Sequence, residues 1–237
     1  MMANPLTPED VRQNLRELRE RIAGAARSAG RDPGEVRLMA VTKTVPPELV
    51  NAAWEEGVRL FGENRAQELL EKAEAYAFGP EHIHFIGTLQ TNKVRQIIDR
   101  VSCVQSVNSI HLAQELQKRA LAAGRTMDIL LEVNIGGEDS KTGMEQGAVT
   151  GMLEKLSNFS ALRVKGLMCI PPFGRPPQET EGYFSRMHKI FVDIKDQKMD
   201  NISMEILSMG MTGDYQLAVR CGANLVRVGT GIFGKRI

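Results

Sequence analysis

The chain has 237 residues, 30 Lys+Arg against 29 Asp+Glu, 42% hydrophobic and 5% aromatic content, and a formal net charge of +1. That balance provides no global field to draw in nucleic acid or an anionic membrane surface. No apolar run approaches the roughly 18 residues that span a bilayer, and no charged-then-apolar leader occupies Met1 to Leu6, so a soluble cytoplasmic protein is expected.

A first helix is predicted from Thr7 as N-cap, with Pro8 at its first position and Glu9 and Asp10 in its first turn. Val11, Leu15, Leu18 and Ile22 share one face, and Gly30 stops the helix. After a turn at 31–34, Arg37 to Lys43 reads as a strand buried on both faces. A helix from Pro47 to about Glu56 and a strand from Val58 to Phe61 follow. The alternation continues with helix 64–77, strand 82–86, helix 90–99, strand 103–107, helix 109–123 and strand 127–134. It closes with helix 144–156, strand 164–169, helix 179–195, strand 203–207, helix 212–221, strand 225–228 and a short tail.

Eight strands alternating with helices require parallel pairing through right-handed crossovers. About 30 residues per unit is the scale of a closed (β/α)8 TIM-type barrel, with one extra N-terminal helix; an open doubly wound sheet is the rival. No linker or compositional break divides the chain, so one domain over 1–237 is expected. Two loops are unusual, 136–143 and the proline-rich 171–182. The three cysteines, Cys103, Cys169 and Cys221, are far apart with no C-x-x-C pair, against a disulfide framework or cysteine zinc site.

In a barrel the reactive groups sit at the C-terminal strand ends. Lys43 ends the first strand on the side of Met39 and Val41, which would put its amine inside the barrel mouth. Partial desolvation there would lower its pKa and make a Schiff-base nucleophile. The alternative is an exposed lysine that caps the strand. The closing segment contains Gly229-x-Gly231-x-x-Gly234, a literal match to the dinucleotide fingerprint. It lacks the following helix and the acidic residue that the fingerprint needs. With Ser208 to Thr212 after the seventh strand, Gly229 and Thr230 make better sense as a phosphate cradle. His82 and His84 alternate along a predicted strand without a third ligand, so no metal site is expected. Asn64 is either a helix N-cap or a site residue.

Five separated motifs then carry a resemblance: Ala40 to Thr44, Phe61 to Glu68, His84 to Lys93, Leu207 to Asp214 and Val226 to Gly234. Together they closely resemble the YggS/PROSC family of pyridoxal-phosphate-binding homeostasis proteins, from about residue 10 to residue 234. The resemblance implies a fold similar to the barrel domain of alanine racemase, with pyridoxal 5′-phosphate (PLP) held as a Schiff base on Lys43. It makes Asn64 a neighbour of the cofactor, Ser208, Gly229 and Thr230 phosphate contacts, and Arg227 the partner of the pyridine nitrogen. Thr42 stands where serine is common, and Thr88 where proline is common; neither changes an inferred contact.

An arginine cannot give up its proton, so Arg227 would donate to an unprotonated ring nitrogen and weaken the ring as an electron sink. Racemases of the implied fold add a second base from a further domain. This chain stops after its last strand, and none of Tyr76, Tyr183 and Tyr215 matches that base. Loss of one acid/base partner costs roughly 10²- to 10⁴-fold in rate. The expectation is a monomeric, non-catalytic PLP carrier with apo PLP-dependent enzymes as recipients and no nucleic-acid or membrane partner. One alternative is an amino-acid racemase with Lys141 as second base; the other is a Schiff-base lyase or aldolase without PLP.

Overall fold

Eight parallel strands close into a barrel in strict chain order in the computed structural model, which describes residues 6–138, 142–197 and 199–234. The strands are β1 (Arg37–Val41), β2 (Phe61–Glu63), β3 (Ile83–Phe85), β4 (Cys103–Val107), β5 (Met127–Val133), β6 (Leu162–Cys169), β7 (Ile202–Ser208) and β8 (Leu225–Val228). The helices are α1 (Pro8–Ser28), α2 (Pro47–Glu55), α3 (Ala66–Lys72), α4 (Val94–Ile97), α5 (Ile110–Ala122), α6 (Val149–Leu156), α7 (Pro177–Lys195), α8 (Tyr215–Arg220) and α9 (Thr230–Phe233). The predicted barrel with its extra first helix is therefore the fold.

Side-chain alternation along each strand divides the buried residues into two cores. Met39, Val41, Ile86, Cys103, Leu130, Met168, Ile206 and Leu225 fill the barrel interior. The neighbours of these residues, such as Ala40, Phe61, Val104, Leu207 and Val226, face outward into the larger layer beneath the helices. β1 pairs with β8 through Met39 and Arg227, which closes the barrel.

The first helix begins as its sequence dictates. Thr7 Oγ1 accepts from the Asp10 amide at 3.3 Å, and the Asp10 carboxylate accepts from the Thr7 amide at 2.9 Å, a reciprocal cap. Its apolar stripe, Val11, Leu15, Leu18 and Ile22, is buried. α1 packs on α2, α8 and α9. Because α9 is a single turn, α1 takes the place in the outer ring that an eighth crossover helix would fill. Asn14 Nδ2 donates to Ile232 O at 2.9 Å, and Arg31 Nη1 donates to Val219 O and Ala223 O at 2.6 and 2.8 Å.

Several boundaries differ from the expected ones, α3 ending at Lys72 rather than 77 and α6 starting at Val149 rather than 144 among them. β2 starts at Phe61 rather than Val58. Gly62 takes an interior position where a Cβ would lie 2.7 Å from Met39 Sδ and 2.8 Å from Ile86 Cδ1, so larger neighbours use the space. The predicted helix 90–99 is a 3-10 turn, Thr91–Lys93, running into α4. The predicted helix 212–221 shortens to α8, because the Asp214 carboxylate accepts from the Met211 amide at 2.6 Å and ties the preceding residues into a loop. No helix among the described residues is long and apolar enough to cross a membrane.

Candidate functional site

The C-terminal ends of β1, β2, β7 and β8 bring the expected residues to one end of the barrel. Lys43 lies two residues beyond Val41, in the turn that follows β1, and is half-buried. The next residue, Thr44, has φ 59°, a left-handed conformation uncommon for a β-branched residue. Its amide donates to the Glu68 carboxylate of α3, which also accepts from Lys72 Nζ. Lys72 Nζ lies 3.4 Å from Thr42 O as well. One helix thus pins the turn on both sides of Lys43.

Behind that turn, on the outer side of the barrel wall, the Glu63 carboxyl is fully buried. Its Oε1 accepts from Thr42 Oγ1 at 2.6 Å and from Tyr76 OH at 2.7 Å, while Oε2 has no hydrogen-bond partner. Burial pushes the Glu63 pKa up, and the two hydroxyl donors only partly oppose this. Asn64 follows, half-buried, with its side-chain oxygen Oδ1 enclosed and unpartnered. It is not a helix N-cap, since α3 starts after Arg65. The chain after β3 runs so close to Asn64 that a Cβ on Gly87 would stand 2.1 Å from Asn64 O.

Inside the barrel, Arg227 is only 4% exposed. Its Nη1 donates to Ser208 Oγ at 2.6 Å and its Nη2 to Cys169 O at 2.9 Å. Ser208 Oγ lies 2.7 Å from Gln105 Oε1, and Gln105 Nε2 lies 2.8 Å from His84 Nδ1. Burial, assisted by the Arg37 charge, lowers the His84 pKa to about 3, so its imidazole is neutral. Glu132 on β5 is also buried and accepts from Thr142 Oγ1 at 2.6 Å. Burial raises its pKa, partly offset by Thr142 and by the Arg227 charge.

Gly229 begins α9 half-buried, and Thr230 is exposed. The Gly231 amide donates to Thr212 Oγ1 at 3.3 Å and the Arg227 amide to Gly210 O at 3.0 Å, so the loops after β7 and β8 are stitched together. A cavity of about 160 Å³ lies beside Gly229 and Thr230, bounded by Val41, Thr44 and Phe233. Two clefts of about 700 Å³ are larger, and the first also borders the loops after β7 and β8 at Thr212 and Gly231. One runs between α1, α8 and the 171–177 loop, the other at the opposite end of the barrel beside Arg19, Arg37 and Arg59.

His82 and His84 do not share a strand face. A 3-10 turn ends at His82, whose Nδ1 pairs with Arg59 O at 3.0 Å, whereas β3 starts at Ile83 and turns His84 inward. Among the described residues no three His, Cys, Asp or Glu side chains gather as a metal site. Lys141 lies outside the described residues. Gln105 and Glu132 were not singled out by the sequence reading. Their signal was available: a polar residue two positions from an apolar interior one, Gln105 after Cys103 and Glu132 after Leu130.

The model of the alanine racemase N-terminal domain matches residues 9–236. A relative from Aquifex aeolicus (strain VF5), named pyridoxal phosphate homeostasis protein, is 38% identical over 94% of this chain and 97% of its own length. An unknown protein from Bifidobacterium adolescentis has a crystal structure that superposes with TM-score 0.91 at 35% identity, covering 98% of this chain and 99% of that one. PipY of Synechococcus elongatus PCC7942, in a structure with PLP bound, superposes with TM-score 0.83 at 32% identity, covering 94% of this chain and all of that one.

Proposed function

The chain belongs to the alanine racemase N-terminal domain family, and on that premise we propose that it binds PLP covalently through Lys43 and serves cellular PLP homeostasis. In this reading it limits the free aldehyde and releases cofactor to apo PLP-dependent enzymes, without substantial catalysis of its own, as a monomer in the cytoplasm. The PLP in the PipY structure and the name of the Aquifex relative support it. The observation that carries it is the pair of unfilled polar groups at the end of the barrel. The enclosed Asn64 Oδ1 has no partner, and Arg227 uses only two of its five N–H donors on described residues. A polar aromatic ring tethered at Lys43 supplies acceptors and donors of that kind.

When bound, PLP supplies a conjugated ring that draws electrons from a substrate carbon, most strongly with its ring nitrogen protonated. Lys43 Nζ is the attaching amine. Arg227 holds the ring nitrogen by donating to it, and as a permanent donor opposes its protonation. Gly229 and Thr230 would hold the phosphate, while Ser208 Oγ is engaged by Arg227 Nη1. Asn64 would neighbour the bound cofactor, offering its unpartnered Oδ1 as an acceptor. The tyrosines are engaged elsewhere: Tyr76 donates to Glu63, Arg186 stacks on Tyr183, and Tyr215 lies beside Arg21 of α1. That placement of the tyrosines, away from the role of a second base, supports a carrier over a racemase.

The test is the visible absorbance of protein incubated with PLP, followed by borohydride reduction and mass analysis. Wild type is expected to show the band and one reduced adduct on Lys43, and Lys43→Ala neither; identical spectra would overturn the assignment. For the carrier role, solvent deuterium should enter the α-carbon of alanine no faster than with free PLP.

A further inference from the structure

Resting on that reading, we infer that Ser208, Gln105 and His84 form a one-way hydrogen-bonded row inside the barrel whose role is to aim Arg227 at the ring nitrogen of PLP. The direction of the row follows from donor chemistry together with the Gln105 amide, whose Oε1 faces Ser208. A guanidinium only donates, so Ser208 Oγ accepts from Arg227 Nη1 at 2.6 Å. The single hydroxyl proton of Ser208 then goes to Gln105 Oε1, 2.7 Å away. This fixes the Gln105 amide with Nε2 toward His84, 2.8 Å from Nδ1. Nδ1 must accept, so the ring proton of His84 is on Nε2.

All four side chains are buried, at 4% exposure for Arg227, 0% for Ser208 and Gln105 and 7% for His84. They come from β8, β7, β4 and β3, so the row crosses the barrel. Buried polar groups with every link satisfied hold one geometry, because the alternatives leave a donor or acceptor unpaired. The carboxylates nearest Arg227 in charge, Glu132 and Asp214, make no hydrogen bond to it, and burial raises the pKa of both. Cys169 contributes its carbonyl, while burial raises its thiol pKa to about 12 and keeps it neutral. The orientation of the guanidinium therefore depends on Ser208 and the Cys169 carbonyl. The row also commits the proton that Ser208 would need to donate to a phosphate, which makes Ser208 a positioning residue.

Loading the protein with PLP carrying 15N in its ring, and following that resonance through a pH titration, reads the aim of Arg227 directly. In wild type the nitrogen is expected to stay unprotonated from acid to alkaline pH. Ser208→Ala and Gln105→Met free the guanidinium, and the nitrogen pKa should rise by about one to two units, the size of one lost hydrogen bond to a charged donor. Gln105→His should restore the wild-type titration, since an imidazole accepts from Ser208 and donates to His84 in the same order. A phosphate-only role for Ser208 predicts weaker PLP binding with an unmoved ring nitrogen, and that result overturns the row. So does an unmoved nitrogen in Ser208→Ala alone, a small change that keeps the assay open should Gln105→Met not fold. Absence of any Lys43 adduct in wild type sinks the underlying PLP reading instead.

Discussion

Two buried polar networks serve the same end of the barrel from opposite sides of its wall. Outside, Thr42, Glu63, Tyr76, Glu68 and Lys72 surround the turn that carries Lys43. Inside, His84, Gln105, Ser208 and Arg227 form a row. The outer network contains two carboxylates and an amine and fixes backbone, through the Thr44 amide and Thr42 carbonyl. The inner one contains a single permanent charge and fixes a side chain. In the proposed function, Lys43, the amine offered to the aldehyde, is thus set on a pinned turn, while Arg227, proposed to face the ring nitrogen, is held in the buried interior.

The largest expected separation between them is in acid. The folded pKa of His84, about 3, is below its unfolded value near 6.5. Below pH 6.5 the unfolded chain takes up the proton first, so stability falls between pH 6.5 and about 3, by several kcal/mol in all. In urea titrations across that range, His84→Leu should flatten the decline. At pH 7 it should cost about 1–3 kcal/mol, because the Gln105 amide loses its acceptor. An equally steep acid slope in the variant would place the sensitivity elsewhere. Glu63 works in the opposite sense: its raised pKa makes its contribution full in acid and lost as pH climbs through the folded value.

Of intermediate size is Tyr76→Phe, which leaves the buried Glu63 Oε1 with Thr42 as its only donor. The urea midpoint should fall by an equivalent of about 1–2 kcal/mol with an unchanged m-value. PLP uptake on Lys43 should survive; its abolition would show that the outer network touches the cofactor itself. The smallest effect should come from Glu68→Gln, which keeps an acceptor for the Thr44 amide. Glu68 is half-buried, and burial raises its pKa, but hydrogen bonds from Lys72 and Thr44 outweigh this and lower it. With solvent screening the loss should stay below about 1 kcal/mol and shrink with added salt. A loss of several kcal/mol would mean that charge, rather than the hydrogen bond to Thr44, holds the Lys43 turn.

Where the sequence was legible, one periodicity ruled. β4 and β8 fall at their expected limits because an uninterrupted run of mostly apolar residues leaves no other reading, and the period of two already placed Lys43 in line with Met39 and Val41. β2 was displaced because Gly62 and Glu63 look like loop residues. They are strand residues only because Met39 and Ile86 occupy the space over the glycine and two hydroxyls cover the carboxylate. The inner row was illegible for a different reason. Gln105 and Ser208 are 103 residues apart, and only closure of the sheet between β8 and β1 sets them face to face.

The docking of α1 in the place of an eighth crossover helix bears on synthesis. Its buried stripe rests on α8 and α9, and Asn14 reaches a carbonyl 218 residues further along. On a ribosome, which delivers the chain from its N-terminal side, that amphipathic helix emerges early and its docking surface late. Its apolar face must wait, exposed or sheltered by a chaperone, until α8 and α9 have left the exit tunnel.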